Sequence, residues 1–230
     1  MGTLFDSEDL LGMGVFLDMA TLPGQLVYVL AGYLSGCVLY SELFMRLFHG
    51  KSLMQVSANH NPGSSNAFIY GGFWCGMLSV ACDILKGLVP VWLYCRRFGL
   101  SSPLLALVLA APVLGHARSL LFGFEGGMCI ATSFGVFMGL APACGPLGLL
   151  IVLYLGSLLL PGVNNSVRSI WTFTLLPLLC AWGAVAGGIS AAAAAGSCLV
   201  SLIARKKIWP DLPPADRDRL AILRLPGDER

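Results

Sequence analysis

Hydrogen-bonding side chains are concentrated in the stretch from Gln55 to Asn66, whose sequence is QVSANHNPGSSN. Pro62 and Gly63 interrupt this stretch, so no regular element is expected to run through it. Amide and hydroxyl groups at this density could bind a phosphate or an acyl carbonyl. They could equally satisfy one another within a self-contained loop. The residues alone leave these two interpretations open.

A second loop, Gly115–Thr132, has the sequence GHARSLLFGFEGGMCIAT. Gly126 and Gly127 precede an apolar stretch, and backbone N–H groups at the start of a helix there could bind an anion. His116 in this loop and His60 in the first are candidate general bases. Neither histidine has an acidic or cysteine partner at ligand spacing, so the pattern does not predict a metal site. We expect the two loops to form one site at a membrane surface.

Two charged residues, Asp83 and Lys86, lie inside the long apolar run from Ala67 to Tyr94. Their spacing of three places them on one helix face, where they could neutralise each other. Charges inside a membrane are costly, so such residues either serve a site or hold helices together. Both interpretations stay open, and we expect the pair to lie beside the cavity that the two loops form.

The composition is that of an integral membrane protein and excludes a soluble domain. Hydrophobic residues make up 57% of the chain and charged residues only 11%, with a mean hydropathy of +0.79. The eight cysteines fall mostly in apolar runs without a CxxC pair, which favours small buried hydrophobic side chains. The net charge of +2 gives no indication of a nucleic acid partner.

The sequence predicts an all-α polytopic membrane protein with about seven transmembrane helices. Several of the apolar segments are shorter than the roughly 20 residues that cross a bilayer upright. We assign residues 1–24 to an N-terminal interfacial segment with a short amphipathic helix at 7–20, residues 25–204 to the transmembrane domain, and residues 205–230 to a basic tail. The seven segments are Gln25–Phe48, Ala67–Tyr94, Ser101–Leu114, Cys129–Leu140, Gly145–Leu160, Ile170–Trp182 and Ala184–Leu202.

The placement of Lys and Arg predicts an outside N-terminus and a cytoplasmic C-terminus. In this orientation the cytoplasmic side carries eleven of the fourteen basic residues, and only Arg96 and Arg97 lie outside. Both polar loops then share the cytoplasmic face. Arg205–Lys207, at the start of the tail, is typical of a segment that anchors to anionic lipids.

The two loops resemble the motifs of the bacterial acyl-phosphate-dependent glycerol-3-phosphate acyltransferases. The family's first motif is roughly GSGNPGATN, and Ala58–Asn66 has the sequence ANHNPGSSN. A DxxKG pattern follows, with Asp83, Lys86 and Gly87. The second motif, GHxFPVFxxFKGGKGVAT, is similar to Gly115–Thr132. With the GYLSGC stretch of the first span, the resemblance covers residues 32–204.

The resemblance implies a seven-span enzyme of the bacterial cell membrane that acts in phospholipid synthesis. Such an enzyme moves a fatty acyl group from acyl phosphate to the 1-hydroxyl of glycerol 3-phosphate, without a metal, a cofactor or a covalent intermediate. It implies catalytic roles for His116, Asn61 and Ser65. It implies substrate binding by the matching residues Gly63, Asn66, Lys86, Gly126, Gly127 and Thr132. Asn59, His60 and Arg118 depart from the motifs, and we expect them to bind substrate through their own polar or charged side chains.

The sequence departs from the family at several expected basic positions. Gln55 replaces the basic residue before the first motif, and Glu125 and Met128 replace the two lysines of KGGKG. Loss of one charge-assisted phosphate contact costs roughly 1.5–3 kcal/mol. Two alternatives therefore stay open: an acyltransferase whose acceptor is related to glycerol 3-phosphate but less phosphorylated, and a non-catalytic relative that binds lipid or a membrane partner. A transporter is least favoured, because no span alternates polar residues along a pore face.

Overall fold

The computed structural model describes residues 22–143 and 145–226, and every regular element in that part of the chain is a helix. Four helical segments are long and apolar enough to cross a membrane: Leu22–His49, Ser64–Phe98, Leu105–Phe122 and Asn165–Val185. Large apolar side chains such as Trp182 and Val185 lie exposed, as expected of a surface that faces lipid. The expectation of an all-helical membrane protein is confirmed. The amphipathic helix expected at 7–20 lies outside the described residues.

The first predicted span is two helices, α1 (Leu22–Cys37) and α2 (Tyr40–His49), because the chain leaves helical geometry at residues 38–39. The break frees the carbonyl oxygen of Val38, which accepts a hydrogen bond from Lys86 Nζ at 2.6 Å. Just before the break, α1 crosses a neighbouring helix closely. A Cβ at Gly36 would lie 2.1 Å from the carbonyl oxygen of Pro112. The break and the crossing together bring the end of α1 and the start of α2 against the helices that contain Lys86 and Pro112.

A 35-residue helix, α4 (Ser64–Phe98), carries both intramembrane charges. It is kinked at Gly72, whose φ of 77° is in the left-handed region that glycine tolerates. The four-residue α3 (Leu53–Val56) and the first polar loop precede it. The next two helices, α5 (Leu105–Ala117) and α6 (Ile130–Met138), are linked by the second loop with a 3₁₀ turn at Leu120–Phe122.

Small residues let α6 pack directly on the middle of α4. A Cβ at Gly87 would lie 2.6 Å from the carbonyl oxygen of Thr132, and one at Gly135 would lie 2.1 Å from that of Ile84. Side chains at these positions would force the two backbones apart. The contact therefore fixes the second loop, which ends at α6, relative to the charged turn of α4.

The remaining long helices are α7 (Gly145–Ser157), α8 (Asn165–Val185) and α9 (Ala191–Ile208). The last begins later than the predicted Ala184, because Gly187 takes a φ of 80° in the turn before it and the side chain of Ser190 caps it. It also continues past the predicted Leu202. Lys206 and Lys207 are therefore in the last turn of α9 rather than in a separate tail. A 3₁₀ turn at Trp209–Asp211, the short α10 (Pro214–Arg219) and a 3₁₀ turn at Ala221–Leu223 follow.

Candidate active site

The first polar loop is partly satisfied from within. Asn66 Nδ2 donates to Asn59 Oδ1 and to the carbonyl oxygen of Asn61, both at 2.8 Å. The loop is also linked to α2, because the hydroxyl of Ser41 donates a hydrogen bond to the carbonyl oxygen of Pro62. Asn61 is the exception. Its side chain is buried, with only 7% of the residue exposed, and its Oδ1 has no hydrogen-bond partner among the residues that the structure describes.

Beneath the loop, Lys86 is at the centre of a buried polar network. Its Nζ lies 2.7 Å from Asp83 Oδ1, 2.7 Å from His116 Nδ1 and 2.6 Å from the carbonyl oxygen of Val38. The contact with Asp83 is an ion pair, and those with His116 and Val38 are hydrogen bonds, in which the ammonium group can only donate. Asp83 Oδ2 in turn accepts from Ser64 Oγ at 2.9 Å. Because its side chain is only 1% exposed and its short contacts are all within the protein, Lys86 is an internal support of the site.

The contact with Lys86 fixes the tautomer of His116. Because an ammonium only donates, Nδ1 of His116 must accept, and the hydrogen of the neutral imidazole is then on Nε2. As a general base, His116 would need an unprotonated Nε2. The geometry therefore favours His116 as a hydrogen-bond donor over the base that the sequence suggested.

Gly126 and Gly127 allow the second loop to lie directly against His116. A Cβ at Gly127 would lie 2.4 Å from His116 Nε2, and one at Gly126 would lie 2.1 Å from the carbonyl oxygen of His116. The backbone N–H of Gly127 donates to that same oxygen at 3.0 Å. This N–H is therefore engaged within the protein. The pair of glycines is explained by close packing around the histidine.

The hydrogen bond of His60 favours the other imidazole tautomer from that of His116. It lies exposed in the first loop with a φ of 51°, a conformation usual for glycine, and its Nδ1 is 2.8 Å from the carbonyl oxygen of Met54. A carbonyl oxygen only accepts, so Nδ1 carries the hydrogen and Nε2 of the neutral ring is an acceptor. The two histidines thus offer one donor and one acceptor.

A first cavity of about 270 Å³ lies between the two loops and the middle of the helices. Its polar end includes Asp83 and His116, and its apolar part is formed by α4, α6 and the loop before α6. The complete lining is Asn59, Asn61, Gly63, Ser64, Ser65, Asn66, Phe68, Val80, Asp83, Ile84, His116, Met128, Cys129, Ile130, Ala131, Phe134, Tyr154 and Asn165. A cavity with one polar and one apolar end suits a lipid with a charged head.

A second cavity of about 420 Å³ adjoins the first and shares Asn59 and Asn61 with it. Three cationic side chains and two carboxylates line it. Its lining is Asn59, His60, Asn61, Leu114, Ala117, Arg118, Glu125, Gly126, Ile203, Lys206, Lys207, Pro210 and Asp211. A polar, anionic ligand fits such a lining.

Asp211 closes the second cavity beside Asn61, whose side chain is hydrogen-bonded to its carboxylate. Burial raises the pKa of Asp211, while Lys207, Arg217 and the hydrogen bond from Asn61 partly counteract the rise. Burial therefore disfavours the charged form of Asp211 in this cavity.

The structure brings most of the predicted site residues together, but in three groups. Asn61, Gly63, Ser65, Asn66 and His116 line the first cavity, and Asn59 and Asn61 line both. His60, Arg118 and Gly126 line the second. Lys86, Gly127 and Thr132 lie behind the cavity walls: Lys86 and Gly127 support His116, and Thr132 is buried against α4.

Several residues of the cavities were not predicted from the sequence. Tyr154 donates to Asn165 Oδ1 at 3.0 Å, and both line the first cavity, although they lie in no motif that the sequence analysis recognised. Lys206 and Lys207 carry a signal in the sequence, their positive charge, but the same signal is typical of a lipid anchor. Their place in the second cavity depends on the length of α9.

Comparisons with known proteins identify one family. The family model described as glycerol-3-phosphate acyltransferase matches residues 26–209. The glycerol-3-phosphate acyltransferase of Aliivibrio salmonicida is 38% identical over 158 residues, which cover 68% of this chain and 78% of the relative. That of Shewanella baltica is 32% identical over 164 residues, covering 71% of this chain and 78% of the relative.

A solved structure is similar over most of the fold. The crystal structure of PlsY (YgiH), an integral membrane glycerol 3-phosphate acyltransferase in its glycerol 3-phosphate form, matches with a TM-score of 0.72 and 26% sequence identity. The match covers 86% of this chain and 93% of that one. The similarity therefore extends through the helices that position both cavities.

Proposed function

Because the chain belongs to the glycerol-3-phosphate acyltransferase family, we propose that it transfers a fatty acyl group from acyl phosphate to the 1-hydroxyl of glycerol 3-phosphate. The observation that carries the proposal is the pair of adjoining cavities that meet at Asn59 and Asn61. One cavity is amphipathic and the other is polar and basic. We call Asn59 and Asn61 the shared wall. Two substrates whose polarity matches the two cavities would have their reacting groups at this wall, which is the arrangement that acyl transfer requires.

The first cavity suits the acyl phosphate. Phe68, Ile84 and Phe134 provide the apolar contacts for the start of an acyl chain. At the polar end, the hydroxyl of Ser65 and the Nε2–H of His116 offer donors to the acyl carbonyl or its phosphate. Because Lys86 holds the imidazole in place, this donor is oriented before the substrate arrives.

The second cavity suits the acceptor. Asn61 Oδ1 is buried without a partner at the shared wall, so it is available to accept a hydrogen bond from a hydroxyl of the glycerol moiety. His60, whose Nε2 is an acceptor, can take the proton of the attacking hydroxyl. This residue replaces glycine in the family motif that Ala58–Asn66 resembles, so the proposed base is particular to this chain.

The chemistry follows from these positions. The 1-hydroxyl oxygen attacks the carbonyl carbon and forms the new ester bond, while the hydroxyl proton passes to His60. The bond between the carbonyl carbon and the phosphate oxygen breaks, and inorganic phosphate leaves with the electron pair. Donation by His116 stabilises the charge that develops on the carbonyl oxygen.

For the membrane arrangement we propose seven crossings, with the N-terminus outside and the site on the cytoplasmic face. The second cavity supports the placement of both polar loops and the end of α9 on one face of the membrane, because residues of all three line it. Eleven of the fourteen basic residues lie on that side in this orientation. Labelling of Lys51→Cys in a background whose eight native cysteines are replaced by alanine or serine, measured in intact cells and in inverted vesicles, tests the orientation.

The test of the function is acyl transfer by the purified, reconstituted protein, with palmitoyl phosphate and labelled glycerol 3-phosphate as substrates. We expect lysophosphatidic acid as the product. Asn61→Ala should abolish most of the turnover, because it removes the acceptor at the shared wall. Arg97→Gln, in the last turn of α4, is the control, because Arg97 lines neither cavity.

Folded wild-type protein without turnover would contradict the proposal. Glu125 and Met128, at the positions of the motif lysines, favour the alternative of a non-catalytic relative that binds lipid. Binding of palmitoyl phosphate without transfer would support that alternative.

A further inference from the structure

The cations that should hold the acceptor's phosphate are missing from the motif where the family has them. In the resemblance described above, the two lysines of the second motif fall on Glu125 and Met128. Glu125 lines the second cavity, and Met128 lines the apolar part of the first. Neither side chain can attract a phosphate, so a working site needs cations from elsewhere.

Lys86 cannot supply the missing charge. Its Nζ forms a buried ion pair with Asp83 and hydrogen bonds with His116 and the carbonyl oxygen of Val38, and its side chain is only 1% exposed. A ligand could reach this ammonium only by breaking a buried ion pair, which is strongly unfavourable.

The last turn of α9 does supply it. Lys206 and Lys207 line the second cavity together with Arg118, which follows the C-terminal end of α5. Lys207 Nζ lies 3.9 Å from Glu125 Oε2, so a cation of α9 lies next to the very position from which the motif lysine has been lost. Compared with the family motif, the motif position carries the carboxylate of Glu125, and the positive charge is beside it on Lys207.

The ion pair between Lys207 and Glu125 is weak enough for a ligand to replace. The side chain of Glu125 is 67% exposed, and an exposed pair at this separation contributes little because water screens it. A phosphate carries more charge than a carboxylate and accepts several hydrogen bonds at once. It would therefore compete successfully with Glu125 for Lys207.

We propose that Lys206 and Lys207, with Arg118, bind the phosphate monoester of the acceptor and so replace the motif lysines of the family. The inference rests on the proposed function and specifies how the acceptor is held there. The shared wall provides the complementary contact, since the buried and unpartnered Asn61 Oδ1 faces a hydroxyl when the phosphate is at the lysines. Glu125 is then a competing anion that weakens acceptor binding.

The test compares the KM values for the two substrates in vesicles of phosphatidylcholine. In the Lys206→Gln/Lys207→Gln variant, the KM for glycerol 3-phosphate should rise roughly tenfold or more, while the KM for palmitoyl phosphate stays the same. Arg97→Gln, which exchanges an exposed cation outside both cavities, should change neither value. Thermal unfolding of each variant checks that the helices still pack.

A charge rescue separates binding from a structural role of α9. Adding Glu125→Lys to Lys207→Gln returns a cation to the motif position and removes the competing carboxylate. The KM for glycerol 3-phosphate should then fall back toward that of the wild type. An unchanged KM in the double lysine variant, or no rescue, would overturn the proposal.

Two further arms keep this inference distinct from the proposed function. Binding of labelled glycerol 3-phosphate without an acyl donor should weaken in the double lysine variant even if the wild type shows no transfer. The kinetic comparison is also repeated in vesicles that contain phosphatidylglycerol. If the lysines bind an anionic lipid headgroup instead, the variant will differ from wild type only in those vesicles, and the assignment to the acceptor fails.

Discussion

The buried network around Lys86 and the basic second cavity use the same kinds of residue for different purposes. Lys86 is matched by three partners within 2.7 Å, whereas Lys207 has one carboxylate at 3.9 Å that is largely exposed. Likewise, the donors and acceptors of His116 are set by a buried ammonium, and those of His60 by a carbonyl at the surface. Side chains whose polar groups are fully paired within the protein give the site its shape. Side chains whose polar groups have few or no partners remain available for substrates.

The buried network and the second cavity also differ in how closely their residues match the family's motifs. Asp83, Lys86, His116 and Gly127 match the family's motifs and lie behind or at the polar end of the first cavity. The departures include His60 and Glu125, which line the second cavity. Substitution is tolerated where a side chain faces an open cavity, because no buried partner is left unpaired.

Lys86→Met should have the largest effect, because it leaves Asp83 as a buried, unpaired carboxylate. Removing one partner of a buried ion pair costs about 3–5 kcal/mol. We expect a marked fall in the unfolding temperature of the detergent-solubilised protein and no acyl transfer. Lys86→Met combined with Asp83→Asn removes both charges, and it should recover part of the stability without recovering activity. A stable, active Lys86→Met protein would show that the network is not essential.

His116→Ala should reduce kcat by roughly 100- to 1,000-fold, the usual cost of losing an oriented donor at a developing oxyanion. His116→Gln keeps an N–H donor in a similar position and should lose less. Exogenous imidazole should not rescue the alanine variant, because the ring site is buried and depends on contact with Lys86. Equal loss in the glutamine and alanine variants would contradict the donor role.

His60→Ala should reduce kcat by roughly 100-fold, as expected when a general base is lost. Here exogenous imidazole should restore part of the activity, because His60 is exposed and its cavity can admit a small base. The contrast between rescue at this position and none at His116 is the direct test of the comparison. Unchanged kcat in His60→Ala would assign the proton to another group.

The sequence predicted the membrane fold and the shared site because polar loops between apolar runs are unusual, and because Asp83 and Lys86 have helical spacing. It did not predict the break between α1 and α2, since nothing local shows that Val38 must offer its carbonyl oxygen to Lys86. The roles of the two histidines also depend on tertiary partners, Lys86 and Met54. The sequence did not place Lys206 and Lys207 at the second cavity, because a cationic cluster has the same sequence pattern whether it faces lipid or a cavity.

The smallest effect is expected at Asp211, whose carboxylate lines the second cavity. Burial raises the pKa of Asp211 above its ordinary value of 3.8, although Lys207, Arg217 and Asn61 oppose the rise. The folded protein therefore holds the carboxyl proton more tightly than the unfolded chain, and this contribution to stability is lost as the pH rises through the folded pKa. Asp211→Asn should accordingly raise the unfolding temperature slightly near neutral pH, because water screens this partly exposed group. The gain in stability should disappear below pH 3.8, where both the folded and the unfolded state carry the proton.

A variant less stable than wild type at neutral pH would mean that the attraction between Asp211 and Lys207 outweighs the effect of burial. The second cavity would then be stabilised by an internal ion pair, as the buried network around Lys86 is.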